Sequence, residues 1–509
     1  MNHPISRRSF LKAAGMLSLG TALPSFFRFL QPTQPAAAGK KNVLVFVFDA
    51  WSAYNIPFYG YGRNTTPNIA RLADRAVVYH NHFAAGNFST PGTASLLTGV
   101  FPWKHRAFRF ADGVDQSFVD KTIFSTFGDY YRIAYSHNPL VNVLLEQFTS
   151  NLNNYIPLNR LLLTNDDSID QIFKNDEDVA TISWSRIIEK ADDGSSYSLF
   201  LSYLYETYEE GKIKSLTKKF PLGLPFTRRG NFFTLEEAID QLETQTESLP
   251  QPFLGYFHLM PPHEPYRTRL DFYNRFNKDG LKFINKPEDL FTQNISTKLL
   301  IERQEEYDEF ILYVDDQFQT FMERLDRSGL LKDTWVILTS DHGQLFERGI
   351  MGHFTPVLYQ PVVRIPLIVF EPGRENRLDV YSPTSAVDLL PTLLHITNKQ
   401  SADWADGQVL PPFSNVSPDP DREIYVIECK HAKRNSPITQ GTFALLKGNY
   451  KLVFYLGYHE LNGTEFVQLY DIDQDPEELH DLYSAQKILG DDLLKELKFK
   501  LAEMNKPYL

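Results

Sequence analysis

A chain of 509 residues with a formal net charge of −12 is too long for one small core and suits a large α/β domain with an appendage. Its 42% hydrophobic and 22% charged content is that of a globular protein, and the acid excess argues against a nucleic-acid binder, which needs a basic footprint. The 14% of aromatic residues read as a well-filled core, and the single cysteine, Cys429, excludes an intrachain disulfide. An acidic chain can still take an anionic substrate where a metal or a few cations dominate one pocket.

Ser6-Arg7-Arg8-Ser9-Phe10-Leu11-Lys12 resembles a twin-arginine export signal. An apolar stretch follows from Ala13 to Leu30, broken by Pro24 and Arg28, and Ala36-Ala37-Ala38 offers a small-residue cleavage site. The apolar run is too short for a comfortable bilayer span. Residues 1–38 are therefore expected to be a signal that sends the chain to the periplasm, cell surface or medium. No integral membrane span is expected in the mature chain.

Val43 to Phe48 is a continuous β-branched and aromatic run, the pattern of a strand buried on both faces of a parallel sheet. Thr66-Pro67 opens a helix through Arg75, with Thr66 as N-cap and Pro67 at its first position. Residues 150–235 carry no readable motif and are expected to be a family-specific insertion. Gln304 to Leu325 reads as a long amphipathic helix before further buried strands at Trp335 to Leu338 and Pro366 to Phe370. Strands alternating with helices predict an α/β fold built on a largely parallel sheet. Residues 401–420, rich in Pro, Asp and Ser, read as a linker. Beyond it, Glu423 to Ile427, Phe443 to Leu446, Tyr450 to Tyr455 and Phe466 to Tyr470 predict a small antiparallel sheet closed by a helix over Asp491 to Met504. The expected boundaries are a catalytic domain over 39–400 and a C-terminal subdomain over 421–509.

Three segments carry chemistry. Asp49 ends the first buried strand, where an open α/β sheet binds its ligands, although Asp also commonly caps a turn there. Asp341-His342-Gly343 follows the strand at Trp335 to Thr339, and an Asp oxygen with an imidazole nitrogen suits zinc or manganese. Ser89-Thr90-Pro91 precedes the helical run Gly92 to Leu97, so Ser89 is either an ordinary N-cap or a hydroxyl activated beside an anion-binding helix end. His258 reads as a structural histidine.

In order along the chain, Lys41-Asn42-Val43-Leu44-Val45-Phe46-Val47-Phe48-Asp49, Thr66-Pro67-Asn68-Ile69 and Ser95-Leu96-Leu97-Thr98-Gly99 resemble landmarks of the sulfatase family, in the alkaline phosphatase superfamily. Pro262-His263-Glu264-Pro265-Tyr266, Thr339-Ser340-Asp341-His342-Gly343 and Val387-Asp388-Leu389-Leu390-Pro391-Thr392 continue the series, and Lys447-Gly448-Asn449-Tyr450-Lys451 with Leu469-Tyr470-Asp471 closes it. The resemblance implies an alkaline-phosphatase-like fold, a large mostly parallel sheet flanked by helices with a smaller antiparallel sheet and helix. It implies one divalent metal held by Asp49, Ser89, Asp341 and His342, and Ser89 as nucleophile. His263 and His353 would then contact the ester's anionic oxygens or its leaving group, with Asn138 and Thr90 beside the substrate and Thr90 as the reserve nucleophile.

The pattern departs at four places. Sulfatases mature the first residue of Cys/Ser-x-Pro-x-Arg to formylglycine, whereas Ser89-Thr90-Pro91-Gly92-Thr93 has Thr93 in the Arg position. The Lys-x-His segment that grips sulfate is not recognisable around Ser136-His137-Asn138. Residue 50 is Ala where many sulfatases have a second Asp, and His342 replaces their Asn. Two Asp and one His favour zinc or manganese over calcium, which prefers an all-oxygen site. These departures resemble the branch of the superfamily in which an unmodified Ser or Thr attacks phosphorus. The expected activity is hydrolysis of a phosphate diester or monoester, or of a sulfate ester, on a small-molecule, lipid or glycan substrate. A phospho-headgroup transferase and a catalytically silent binding protein on the same fold are the alternatives.

Overall fold

In the computed structural model the first apolar run forms β1 (Asn42–Phe48), buried along its whole length. Its alternate side chains serve two cores: Leu44, Phe46 and Phe48 pack on one face, Val43, Val45 and Val47 on the other. A strand with both faces apolar is stable only inside a sheet covered on both sides. The structure describes residues 39–163, 207, 211–227, 231–277 and 279–509; the expected signal over 1–38 and most of the segment over 150–235 lie outside the described residues.

Numbered along the chain, the main sheet also contains β2 (Val77–Tyr79), β4 (Tyr131–Ser136), β5 (Asn154–Ile156), β6 (Phe253–Leu259), β7 (Thr334–Thr339), β10 (Leu367–Phe370) and β11 (Leu378–Val380). Its strand order is β11-β2-β10-β7-β1-β6-β4-β5. β10 runs antiparallel to both of its neighbours, and the remaining pairings are parallel. Two short pairs lie outside it, β3 (His82–Phe83) with β12 (Thr384–Ser385) and β8 (Leu345–Glu347) with β9 (Ile350–Gly352). β5 falls within the stretch over 150–235, so the start of that stretch is an edge strand of the main sheet.

Helix Thr297–Arg327 covers one face of this sheet with Tyr307, Phe310, Ile311, Val314, Phe318, Phe321 and Leu325, which recur at helical spacing. Helices Ser89–Thr98 and Leu389–Ile396 cover the other with Leu96, Leu97, Leu390 and Leu393. Helix Pro67–Leu72 and the 3₁₀ turn Ala73–Arg75 occupy the expected place, but Thr66 provides no side-chain cap. Asp315 of the long helix does so instead, accepting the N–H groups of Asn68 at 3.0 Å and Ile69 at 2.7 Å. A carboxylate from a packed neighbour satisfies two of the free donors at once, which leaves the threonine hydroxyl nothing to cap.

The C-terminal sheet consists of β13 (Ile424–Glu428), β14 (Gly441–Lys447), β15 (Tyr450–Leu456) and β16 (Phe466–Asp471), all antiparallel. Tyr425 and Ile427 meet Leu493 and Leu497 of helix Lys487–Asn505 together with Phe101 and Trp103, while Ile424 and Val426 meet Phe83, Val362 and Val363. The stretch over 401–420 is tied down by hydrogen bonds from Trp404 to the Thr98 carbonyl, from Gln408 N–H to Asp388, and from Leu410 N–H to Thr392. The expected fold class therefore describes the molecule. Among the described residues no helix is long and apolar enough to cross a membrane.

Candidate active site

Four neighbouring strands finish at one edge of the main sheet, and each delivers a polar side chain there. Val47 pairs with Thr339 of β7 and with His258 of β6, and His258 pairs in turn with Ser136 of β4. Strands about 4.8 Å apart and level at their carboxyl ends place the next residues of each within side-chain reach. Those residues are Asp49, Asp341-His342, and Asn138, with His258 still inside its strand.

Ser89 arrives from a different direction, as the first residue of helix Ser89–Thr98, with Phe88 in the cap position. The helix thus begins three residues before the expected Gly92, because Pro91 fits a first turn in which the N–H is free in any case. Its approach depends on Gly92: a Cβ there would lie 2.4 Å from the Asp341 carbonyl oxygen. The Ser89 hydroxyl consequently faces the strand ends. It lies 3.5 Å from Asp49 Oδ2 and 3.4 Å from His342 Nε2, and it accepts a hydrogen bond from Asn138 Nδ2 at 2.9 Å.

The two carboxylates are wholly buried. Asp341 Oδ1 accepts from the N–H groups of Ala50 at 3.3 Å and His342 at 3.0 Å. Asp49 Oδ2 accepts from Asn138 Nδ2 and from His258 Nε2, the latter at 3.0 Å. The second oxygen of each carboxylate, Asp49 Oδ1 and Asp341 Oδ2, has no hydrogen-bond partner. Both lie 3.5 Å from His342 Nε2, and a ligand atom from each of the three residues falls within 4.8 Å of the others. Tetrahedral bonds of about 2.0–2.1 Å to zinc separate ligand atoms by roughly 3.3 Å, so the spacing and the two orphaned oxygens fit a divalent ion. His342 Nδ1 donates to the Gly343 carbonyl at 2.9 Å, which fixes the tautomer and leaves the Nε2 lone pair facing that space.

Burial opposes charge on Asp49, but His263, His258 and His342 outweigh it and hold the carboxyl well below the usual range. Burial and the neighbouring Asp49 charge push Asp341 up. Burial disfavours the His342 cation, yet Asp341 and Asp49 raise its pKa overall. Two buried carboxylates with histidines as their ion-pair partners form a pocket that demands positive charge.

The turn after β1 is strained, with Ala50 at φ 59°. Such a backbone costs on the order of 1–3 kcal/mol in a residue with a Cβ, and it is held by several contacts. Tyr307 donates to the Ala50 carbonyl at 2.7 Å and accepts from Ser52 N–H at 2.9 Å, while Ser340 accepts from Trp51 N–H at 2.9 Å. Gly343 completes the second strand end, where a Cβ would meet the Pro361 carbonyl at 2.1 Å.

A row of imidazoles leads away from this pocket. The rings of His342 and His353 are 4.2 Å apart between centroids, and those of His353 and His263 are 4.9 Å apart. His353 is buried, its Nδ1 is held by Gln344 Oε1 at 2.6 Å, and its Nε2 has no partner. Burial and the neighbouring His342 and His263 charges hold its pKa well below the ordinary value, so it rests neutral. His263 is partly exposed and bonds the Glu264 carbonyl.

Ser89, Asp49, Asp341, His342 and Asn138 are thus in mutual contact, and His353 and His263 stack beside them. Asn138 is committed to Asp49 and Ser89 and caps helix Pro139–Gln147 through Leu140 N–H, so both ends of its amide are held by protein groups. The Thr90 hydroxyl is buried without a hydrogen bond. His258, read from the sequence as structural, contacts the cluster directly: its place beside Val47 aims Nε2 at Asp49. Only the pairing of β6 with β1 brings this about, and no sequence motif marks that pairing.

A family model described as Sulfatase matches residues 41–175 and 192–399, and one described as N-sulphoglucosamine sulphohydrolase, C-terminal, matches residues 349–507. An ulvan-active sulfatase of Formosa agariphila is 23% identical over 78% of this chain and 68% of its own length. A choline-sulfatase of Rhizobium meliloti is 24% identical over 87% of this chain and 82% of its own. The crystal structure of a phosphonate monoester hydrolase of Agrobacterium radiobacter superposes with a TM-score of 0.65 at 17% identity, covering 92% of this chain and 96% of that one.

Proposed function

The chain belongs to the sulfatase family, in the alkaline phosphatase superfamily, and is a hydrolase of sulfate or phosphorus esters; within that activity we propose that it is an exported, metal-dependent enzyme with Ser89 as an unmodified nucleophile and phosphorus as the preferred centre. One observation carries this reading: Ser89 Oγ stands 3.4 Å from His342 Nε2, which is itself 3.5 Å from the two unpartnered carboxylate oxygens. Asp49, Asp341, His342 and Ser89 would hold one ion, zinc or manganese rather than calcium, because each carboxylate has only one free oxygen and calcium takes six to eight oxygen ligands. When bound, that ion would polarise the ester's non-bridging oxygens and favour ionisation of the Ser89 hydroxyl.

The chain's own groups account for the remaining work. Asn138 Nδ2 orients the Ser89 oxygen, and the start of helix Ser89–Thr98 supplies free N–H groups toward a developing anion. The free Nε2 of the neutral His353 takes up the Ser89 proton, Oγ bonds to the phosphorus or sulfur atom, and the bond from that atom to the leaving alcohol breaks. His263 donates the proton that the leaving oxygen needs and then activates water, whose attack releases the covalent ester and returns the proton to Ser89. The name of the Agrobacterium radiobacter neighbour agrees with phosphorus as the centre, the two relatives' names with sulfur. Thr93 and His342 tip the balance, since formylglycine chemistry relies on the Arg that position 93 lacks.

Purified protein assayed against an aryl sulfate, a phosphate monoester, a phosphodiester and a phosphonate across a metal panel tests the reading. Turnover of phosphorus esters with an unmodified Ser89 peptide by mass spectrometry is expected. Formylglycine at position 89 with sulfate turnover would overturn it. Arg7→Lys with Arg8→Lys should retain the protein inside the cell if residues 1–38 act as the export signal.

A further inference from the structure

We infer that His258, held by Tyr256, is a positioning residue that restricts Asp49 to a single free oxygen and so selects zinc over calcium; this rests on the metal reading above. A carboxylate only accepts, so the 3.0 Å contact between His258 Nε2 and Asp49 Oδ2 puts the ring proton on Nε2. His258 Nδ1 then accepts, and the Tyr256 hydroxyl donates to it at 3.0 Å. All three side chains are buried, and His258 Nε2 also lies 3.7 Å from Asp341 Oδ2.

The consequence is geometric. Asp49 Oδ2 receives His258 and Asn138 together and has Ser89 at 3.5 Å, so it has little capacity left for an ion. Oδ1 alone points free, as Oδ2 does on Asp341. Both carboxylates therefore offer one oxygen, and Ala50 adds none. A site of two single oxygens, one imidazole nitrogen and a hydroxyl satisfies four-coordinate zinc and starves calcium. Thr93 lies beside the Tyr256 hydroxyl, so the position that holds Arg in the sulfatase motif here adjoins the arm reaching Asp49 through Tyr256 and His258. A histidine with a purely structural role would leave ion selectivity untouched.

Zinc and calcium affinities of the full chain, measured by competition with a chromophoric chelator, test this in wild type, His258→Ala, His258→Gln and Tyr256→Phe. Thermal unfolding of metal-free protein serves as the control for folding. His258→Ala should weaken zinc about 10–100-fold and calcium much less, and His258→Gln, whose amide can also donate, should recover part of the loss. Tyr256→Phe should weaken zinc by a smaller factor and move the His258 Nδ1 resonance in ¹⁵N spectra as that nitrogen loses its hydrogen bond, which keeps the test decisive even where His258→Ala unfolds. A preference for zinc over calcium unchanged within about twofold in both His258→Ala and Tyr256→Phe, whether or not both affinities fall, with wild type binding one ion, would overturn the inference alone. A wild type that binds no zinc would overturn the metal reading and this inference with it.

Discussion

Asp49 and Asp341 face each other with the same division of labour: one oxygen of each is bound to protein N–H donors, and the other has no partner although fully buried. A buried carboxylate oxygen left unsatisfied costs on the order of 1–3 kcal/mol or more. Two such oxygens aimed at one imidazole nitrogen define where positive charge belongs.

Removal of divalent metal by chelation should abolish ester turnover, and zinc or manganese should restore it better than calcium. Asp341→Asn should lose stoichiometric zinc binding by elemental analysis, since it replaces a charged ligand oxygen with a neutral one. Retained activity in metal-free protein would refute the metal assignment.

Ser89→Ala should lower kcat by about a thousandfold or more while the protein remains folded, as expected when the nucleophile is removed. Thr90→Ala should stay within a few-fold of wild type, because the Thr90 hydroxyl has no hydrogen bond to lose. Steady-state kinetics on the best ester found in the substrate panel decides between the two hydroxyls.

Gly92→Ala should destabilise the fold by about 1–3 kcal/mol, because its Cβ would meet the Asp341 carbonyl oxygen at 2.4 Å and neither backbone can yield cheaply. The helix start and Asp341 must then separate, so zinc affinity and kcat should fall together. Gly128→Ala, whose nearest neighbour would be 4.0 Å away, is the matched control for both denaturation and metal binding.

Stability should fall as pH rises from about 4 to about 7 through Asp315, whose carboxyl burial pushes up to about 7. In that window the folded state keeps a proton that the unfolded state releases, so the contribution is complete below the unfolded pKa and lost through the folded one. The slope is at most about 1.4 kcal/mol per pH unit. Asp315→Asn should flatten this dependence in urea denaturation at pH 5 and pH 8, with its stability relative to wild type improving at the higher pH. A difference between the two proteins that does not change with pH would contradict it.

The parallel sheet was legible because β1 and β7 are unbroken apolar runs, and only a sheet covered on both faces can bury every side chain of such a strand. The long helix and the C-terminal sheet were legible for the same kind of reason, a local period of 3.6 or 2. Asp49, Asp341 and His342 could be singled out because each follows a buried strand, and their order along the chain matched a family.

What the sequence determined by itself was therefore local: periodicity, strand ends, and the residue types suited to a metal. The tertiary structure alone decided which strands became neighbours, and with that the capping of Pro67–Leu72 by Asp315 rather than Thr66, the place of His258 against Asp49, and the need for glycine at position 92. Each of these joins positions between about 200 and 250 residues apart. Sequence periodicity extends only over a helix turn or a strand, whereas burial in a shared sheet fixes which distant donor meets which acceptor.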